Sequence, residues 1–293
     1  MLLFKKVFDL QKYLNALKTK GLQIGFVPTM GALHRGHISL VNRSKADNEV
    51  TVASIFVNPT QFNDPKDLEK YPRTPERDME MLIEGGCDIL FMPSPEEIYP
   101  NGTTPLQKFN FGKLDRVLEG TFRPGHFDGM AQVVNRLLEI VKPSKLYMGQ
   151  KDFQQWSIVA SMLQQTKSKT ELVMCEIMRE EDGLAMSSRN VRLSPEARAV
   201  APLIYKTLKA ASEMVGEYSP SEIQRMTIQK LRAEPSFRLE YFEIVDGRTL
   251  LPIQLFEDTD FAVALTALWV GEVRLIDNMI LKQQQQHDDM DSE

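Results

Sequence analysis

The sequence predicts an α/β chain in two parts: a parallel sheet with helices on both faces, then a smaller α+β domain with antiparallel strands. Three observations carry this. Short apolar runs alternate with longer amphipathic ones over about the first 177 residues. After about residue 180 the pattern changes to helices followed by paired apolar strands. The length, 293 residues, suits two domains or one large one.

In order, the strands expected in the first part are Ile24–Val27, Val50–Val57, Ile89–Met92, Lys145–Tyr147 and Leu172–Ile177. Each is a short, largely apolar run, as a strand buried on both faces requires. Between them lie helical patterns. One starts near Gly36, and another at Thr74-Pro75, where proline suits the first helical position. Two more run from about Gly129 to Val141, with Asp128 as candidate N-cap, and from Asp152 to Gln165. In the second part, Ser194-Pro195-Glu196 opens a helix over about 195–215. Ser219-Pro-Ser-Glu222 forms a capping box for the next. Strands follow at Leu239–Val245, Phe261–Val270 and Val273–Leu281, with turns near Asp246-Gly247 and Gly271. The polar, acidic end from Lys282 onward lacks the apolar surface to order itself and is expected to be disordered.

Composition narrows the function classes. Hydrophobic residues make up 42% and charged residues 26%, ordinary values for a globular protein. The net charge of −5 argues against a dedicated nucleic-acid binder. No run of 18 apolar residues occurs, so no spanning helix is expected, and the N-terminus lacks the pattern of a signal peptide. Cys87 and Cys175 are far apart and lie in or beside apolar segments, which predicts buried free thiols in a reducing, cytoplasmic compartment.

Five motifs carry chemistry. Pro28-Thr-Met-Gly-Ala-Leu-His34-Arg-Gly-His37 runs from a strand into a helix start and holds two of only four histidines. A helix start offers free N–H groups and partial positive charge, so it suits an anion. His-x-Gly-His in that place is the arrangement by which nucleotidylyl-transferring enzymes hold ATP phosphates. Phe56-Val-Asn58-Pro-Thr-Gln61-Phe62 follows the second strand, and its two amides can orient a hydroxylated ligand without adding charge. Arg123-Pro-Gly-His126-Phe-Asp128 sets a cation, an imidazole and a carboxylate in one turn. Gly149-Gln-Lys151-Asp152-Phe-Gln-Gln155 follows the fourth strand. Gly149 admits close backbone approach, and Asp152 could cap the helix or hold a metal or ribose. Lys151 at a helix start is unfavourable unless an anion is present. Met186-Ser187-Ser188-Arg189-Asn190 offers hydroxyls and a guanidinium on a loop able to close over phosphates. No Walker A or G-x-G-x-x-G motif occurs.

Taken together, in order and spacing, these five motifs resemble the pantothenate synthetase (pantoate–β-alanine ligase) family of the nucleotidylyltransferase superfamily, over about 160 residues. The resemblance implies a Rossmann-like domain at 1–178, a small α+β domain at 179–282 and a tail at 283–293. It implies a two-step ligation: pantoate and Mg²⁺-bound ATP give pantoyl adenylate and pyrophosphate, then β-alanine gives pantothenate and AMP. By the same resemblance the ATP site comprises Met30, Gly31, Ala32, Leu33, His34, Arg35, Gly36, His37, Gly149, Gln150, Lys151, Asp152, Met178, Met186, Ser187, Ser188 and Arg189. His37 is the family's proton donor, and His34, Lys151 and Arg189 share the catalytic work. Gln61 holds pantoate and places β-alanine, and Gln155 holds pantoate. No side-chain metal ligand is implied. A cytoplasmic homodimer is implied, with no nucleic-acid or membrane partner. Gln150, Thr60 and Met178 stand where Glu, Met or Leu, and Val are common in the family, and none of these changes removes a charged or imidazole group.

Two rival readings share features with this one. A related nucleotidylyltransferase that releases a nucleotidyl product shares the His-x-Gly-His logic, but it leaves Gln61 and Gln155 unexplained and needs more cations. A non-catalytic nucleotide-binding regulator is expected to have lost an imidazole or Lys151, and this chain keeps them all. An aminoacyl-tRNA synthetase is disfavoured by size and acidity.

Overall fold

The computed structural model describes residues 1–62, 68–102 and 107–283. The described residues form two compact units, one within 1–181 with 185–191 and one of 182–184 with 192–283.

The first unit is built on a six-stranded sheet. Its strands are β1 (Leu2–Phe4), β2 (Ile24–Thr29), β3 (Val50–Ile55), β4 (Ile89–Phe91), β5 (Lys145–Gly149) and β6 (Glu171–Cys175). The spatial order is β1-β4-β3-β2-β5-β6, and every pair is parallel. Side chains alternate between faces along each strand. Phe26, Val52, Phe91, Leu146 and Met148 enter one core, while Val27, Ala53, Leu90 and Tyr147 enter the other. The first face is covered by α1 (Val7–Lys18), α4 (His126–Val141) and α5 (Phe153–Gln165). The second is covered by α2 (Arg35–Asp47) and α3 (Pro75–Glu84). Burial on both faces is why the inner strands β2 to β5 read as apolar runs.

The order of the strands fixes where a ligand can sit. From the middle of the sheet, β3 and β4 lie on one side of β2, while β5 and β6 lie on the other. The connections leaving β2 and β5 therefore diverge, and a crevice opens at the carboxyl ends of these neighbours.

The second unit packs α6 (Pro195–Val200), α7 (Leu203–Glu213) and α8 (Pro220–Arg232) with an antiparallel sheet of β7 (Phe237–Asp246), β8 (Phe261–Val270) and β9 (Val273–Gln283). The expected capping box opens α8: Ser219 N–H donates to Glu222 Oε2 at 3.0 Å, and Glu222 N–H donates to Ser219 Oγ at 3.4 Å. Gly271 takes a left-handed φ of 57° in the two-residue turn joining β8 to β9.

Four expectations need correction. Leu2–Phe4 forms a strand and Val7–Lys18 a helix, neither of which the apolar pattern disclosed. The helix expected over 195–215 is two helices, because Pro202 has no N–H to continue the first ladder and sits at the N-cap of the second. The helix expected from Gly129 starts at His126, so Asp128 lies in its first turn rather than at the cap, which is Gly125. Strand β9 runs to Gln283, and Lys282 Nζ donates to the carbonyls of Phe256 and Thr259 at 2.7 and 2.8 Å. The rest of the expected tail, with His287, lies outside the described residues. Cys87 and Cys175 are buried free thiols, as expected, and burial pushes both up to about 11. No helix among the described residues is long and apolar enough to cross a membrane.

Candidate active site

The loop after β2 is the most constrained part of the site. Gly31 and Ala32 both take left-handed backbone, with φ of 80° and 49°. That turn exposes two consecutive amides, and the buried Asp78 carboxylate of α3 accepts from both. Ala32 N–H donates at 2.9 Å and Leu33 N–H at 2.7 Å, with Thr74 Oγ1 donating at 3.0 Å. The chain then enters α2 through a capping box made of two imidazoles. Gly36 N–H donates to His34 Nδ1 at 3.1 Å, and His34 N–H donates to His37 Nδ1 at 3.3 Å. The rings stand 4.1 Å apart. A Cβ on Gly36 would meet the His34 ring at 2.9 Å, so this position requires glycine. Burial first, then the Lys151 ammonium, lowers His34 to about 4. Burial, then His34 and Lys151, lowers His37 to about 3. Both rings are therefore neutral at pH 7.

The turn after β3 presents one amide and uses the other as scaffold. Asn58 is buried. Its Oδ1 accepts from Tyr99 OH at 2.8 Å and from Thr60 Oγ1 at 3.1 Å, and its Nδ2 donates to the Gly129 carbonyl at 3.2 Å. Asn58 therefore braces the turn and is not the ligand-orienting amide the sequence suggested. Gln61 faces the crevice, and its Nε2 donates to Met30 Sδ at 2.8 Å. His126 does not line the crevice. Its Nδ1 lies 2.7 Å from the Gln61 carbonyl, which can only accept, so the proton is on Nδ1. His126 thus positions Gln61.

At the end of β5, Gln150–Asp152 form a 3₁₀ turn and Gly149 lies in ordinary extended backbone, with open space where a Cβ would stand. Lys151 Nζ is 4.0 Å from Asp152 Oδ1. Asp152 occupies the N-cap of α5, but its side chain makes no capping bond, so the capping role suggested by sequence is not filled. Gln155 enters the crevice from the first turn of α5. After β6 the chain passes Met178 and returns, with Met186 N–H donating to the Met178 carbonyl at 3.0 Å. Asn190 Nδ2 donates to the Ala185 carbonyl at 3.1 Å. This holds Ser187–Arg189 over the crevice, where Tyr71 OH lies 3.4 Å from Ser188 Oγ and the Arg189 guanidinium 5.8 Å from the Tyr71 ring.

One cavity collects most of the expected residues. Met30, His34, Gly36, His37, Gln61, Gly149, Lys151, Asp152, Gln155, Met178 and Met186–Arg189 line it. Gly31, Ala32, Leu33, Arg35 and Gln150 do not. Gly31–Leu33 lie behind it on Asp78, and Arg35 is exposed, with Nη2 3.5 Å from Glu180 Oε2. Sequence reasoning missed Tyr71, Glu176 and an apolar wall of Phe56, Met130, Val133, Val134 and Leu137. The α4 members of that wall recur at helical spacing, a signal that marks a buried stripe but not what it faces. Among the described residues no group of three or more His, Cys, Asp or Glu could hold a metal ion.

The histidines set a pH dependence of stability. Burial lowers His126 to about 4, with Arg123 adding to the effect. Between the ordinary value of 6.5 and about 4, the unfolded chain binds protons that the folded chain refuses. Stability is therefore expected to fall as pH falls through this window. His126→Asn keeps a donor for the Gln61 carbonyl and removes one titrating ring. Urea midpoints at pH 7 and pH 5 should converge in this variant relative to the parent. An unchanged difference would remove His126 from the account.

The chain is similar to known proteins along nearly its whole length. The sequence model of the family described as Pantoate-beta-alanine ligase matches residues 2–280. The pantothenate synthetase of Porphyromonas gingivalis W83 is 49% identical over 279 residues, covering 95% of this chain and 99% of its own. The crystal structure of pantothenate synthetase from Thermus thermophilus superposes with a TM-score of 0.89 at 44% identity, covering 96% of this chain and all of its own. That of pantoate-beta-alanine ligase from Francisella tularensis, complexed with beta-gamma ATP and beta-alanine, gives 0.79 at 34% identity, covering 96% and 98%.

Proposed function

The chain belongs to the pantoate–β-alanine ligase family, and from that premise we propose how its own residues carry the ligation of pantoate and β-alanine to pantothenate. The observation that supports the assignment most is the meeting of His34, His37, Lys151 and Arg189 with Gln61 and Gln155 on one cavity wall. The first four suit a polyphosphate, and the two amides suit a neutral, hydroxylated partner.

In the first step a pantoate carboxylate oxygen attacks the α-phosphorus of ATP, and pyrophosphate leaves with the bond's electron pair. Lys151 and Arg189 oppose the charge that builds on the phosphates, and His34 and His37 donate hydrogen bonds to them. Gln61 and Gln155 hold pantoate in line. The loop over Met186–Arg189 shields the acyl adenylate from water. In the second step the β-alanine amine, placed with help from Gln61, attacks the acyl carbon and AMP departs. Mg²⁺ would enter this cavity with the nucleotide, since it rarely needs an all-protein cage. It supplies charge neutralisation when bound. The working protein is a cytoplasmic homodimer on this reading, acting on small molecules and independent of nucleic acid and membrane.

Pyrophosphate release from ATP and Mg²⁺, measured with pantoate in the presence and absence of β-alanine, tests the reading. Steady release requiring both acids, with AMP and pantothenate formed, is expected. A released nucleotidyl product would instead establish the related transferase. For the amides, Gln61→Ala and Gln155→Ala are each expected to lower kcat/KM for pantoate by about 10-fold to 100-fold, the scale of losing one orienting hydrogen bond. Steady-state kinetics with varied pantoate reads this, and parent-like constants would assign the amides elsewhere.

A further inference from the structure

Two neighbouring glutamines in the first turn of α5 do different work. Gln155 lines the cavity, whereas Gln154 does not and is 3% exposed. The Gln154 amide binds the backbone of one loop. Its Nε2 donates to the carbonyls of Leu114 at 2.7 Å and Val117 at 2.8 Å, and its Oε1 accepts from Glu119 N–H at 2.9 Å. Both donors and the carbonyl oxygen are thereby used. Leu118 lies between the last two contacts, with φ of 50° and ψ of −122°. Gly120 N–H donates to the Val117 carbonyl at 2.9 Å. Residues 117–120 therefore form a type II′ turn with leucine at the first central position, where glycine is the ordinary occupant. Such backbone persists where its surroundings over-determine it. Here one buried side chain grips the peptide unit on each side of the strained residue.

A run of hydrogen bonds leads from this turn to the cavity. Glu119 opens a short helical segment, Glu119–Phe122. Arg123 N–H donates to the Glu119 carbonyl at 2.8 Å, and His126 N–H donates to the Arg123 carbonyl at 3.1 Å. The His126 ring then holds the Gln61 carbonyl at 2.7 Å. The buried Glu119 carboxylate also stands 3.9 Å from the Arg123 guanidinium. The first turn of α4 packs backbone to backbone on the Gln61 turn: a Cβ on Gly129 would meet the Thr60 carbonyl oxygen at 2.3 Å and Gln61 Cα at 3.1 Å. A shift in the start of α4 is therefore passed directly to Gln61.

We propose that Gln154 is a positioning residue that holds the Leu118 turn and, through His126 and the start of α4, sets Gln61 relative to Gln155. This deepens the proposed function and rests on its reading that the two amides hold pantoate. One amide belongs to the residue after Gln154, and the other stands at the far end of the hydrogen-bonded run. The Leu118 turn closes that frame behind the cavity. A ligand held by both amides depends on their spacing. The histidine loop stands apart from the frame, on Asp78.

The test begins with Gln154→Met, which keeps the volume and removes every bond to the turn. It is expected to lower kcat/KM for pantoate by about 10-fold while KM for ATP stays within about twofold, a split that general loosening does not give. Leu118→Gly is the rescue. Glycine takes the type II′ conformation without a clamp, so adding it to Gln154→Met should recover most of the lost kcat/KM for pantoate. The same change gives up a buried leucine, so Tm should fall further. Recognition that recovers while stability falls separates positioning from a merely structural role. The His126 Nδ1–H proton, followed by ¹H nuclear magnetic resonance without substrate and assigned by its absence in His126→Asn, gives a second readout. It should exchange slowly in the parent, broaden in Gln154→Met and return in the double variant. This readout needs no pantoate, so a failed frame is distinguished from a wrong substrate in the pyrophosphate assay. Gln154→Asn is shorter by one methylene and leaves room for a bridging water. It takes the same measurements if Gln154→Met melts below the assay temperature. Parent-like pantoate kinetics, equal losses for pantoate and ATP, no rescue by Leu118→Gly, or an unchanged His126 ring proton would each overturn the proposal.

Discussion

Lys151→Met is expected to lower pyrophosphate release from ATP and pantoate by at least about 10³-fold while leaving Tm within a few degrees of the parent. The reason begins with the histidines. Burial first, then Lys151 for His34 and both His34 and Lys151 for His37, keeps the two rings neutral, so neither supplies cationic charge to the cavity. Lys151 and Arg189 are the cations on the cavity wall among the described residues. Lys151 is the one whose field reaches both imidazoles, which places its ammonium on the side of the α2 N-terminus. Losing one preorganised donor to a developing anion typically costs about 10²- to 10³-fold in rate, and a full charge in a water-poor cavity stands at the upper end. Methionine keeps the length of the side chain, so packing changes little. Arginine is not expected to rescue, because its planar fork needs more room than a compact ammonium. The same variant makes a second, independent claim: His34 and His37 should titrate at higher pH, since a cation that suppressed their protonation is gone. Turnover within about threefold of the parent would take Lys151 out of the chemistry.

The contrast between Lys151 and Asn58 shows what the sequence could disclose. Lys151 was legible because its oddity is local: a cation at a helix start needs an anion, and no distant residue is required to see it. The same holds for the His-x-Gly-His loop, whose capping box closes between His34 and His37. Asn58 was visible but its role was not, because the groups that satisfy it, Tyr99 and Gly129, lie 41 and 71 residues away. In the first unit, β2 to β5 could be read because burial on both faces leaves short, largely apolar runs, and edge strand β6, though only half-buried, keeps the apolar run Leu172–Met174. Strand β1 has only three residues and pairs with β4 alone. In α1 the stripe of Leu10 and Leu14 is blurred by Phe8, which is 73% exposed. The start of α4 was misplaced because its N-cap is a left-handed glycine rather than the aspartate that follows.

Asp78 is the case where distance hid a residue with a large effect. It lies 45 to 46 residues from the amides it accepts, in a helix whose sequence shows only an acidic first turn. Asp78→Ala is expected to leave the Ala32 and Leu33 N–H groups buried without an acceptor. Each unsatisfied buried donor costs about 1–3 kcal/mol, so the loss is on the order of 2–5 kcal/mol, or about 10 °C in Tm. Water could restore the bonds only by entering a space that the side chain now fills. Asp78→Asn is expected to fall nearly as far, because an amide offers one acceptor where two donors converge and turns its own N–H₂ toward the other. Asp78→Glu would push a longer side chain against the Gly31–Leu33 backbone, which already lies so close that a Cβ added to Gly31 would meet Asp78 Oδ2 at 3.0 Å. The loss should reach catalysis through geometry. Freed from Asp78, the left-handed turn at Gly31 and Ala32 relaxes, and the cap of α2 moves with it. Assayed well below its melting temperature, Asp78→Ala should lose at least about 10-fold in kcat and bind ATP more weakly, with Gln61-dependent pantoate recognition less affected. Thermal melts followed by circular dichroism, paired with pyrophosphate release, read both effects. A variant that melts within about 2 °C of the parent, against the scale of about 1–3 kcal/mol per orphaned donor, would mean that the two amides find other partners and that the clamp is not what holds the histidine loop.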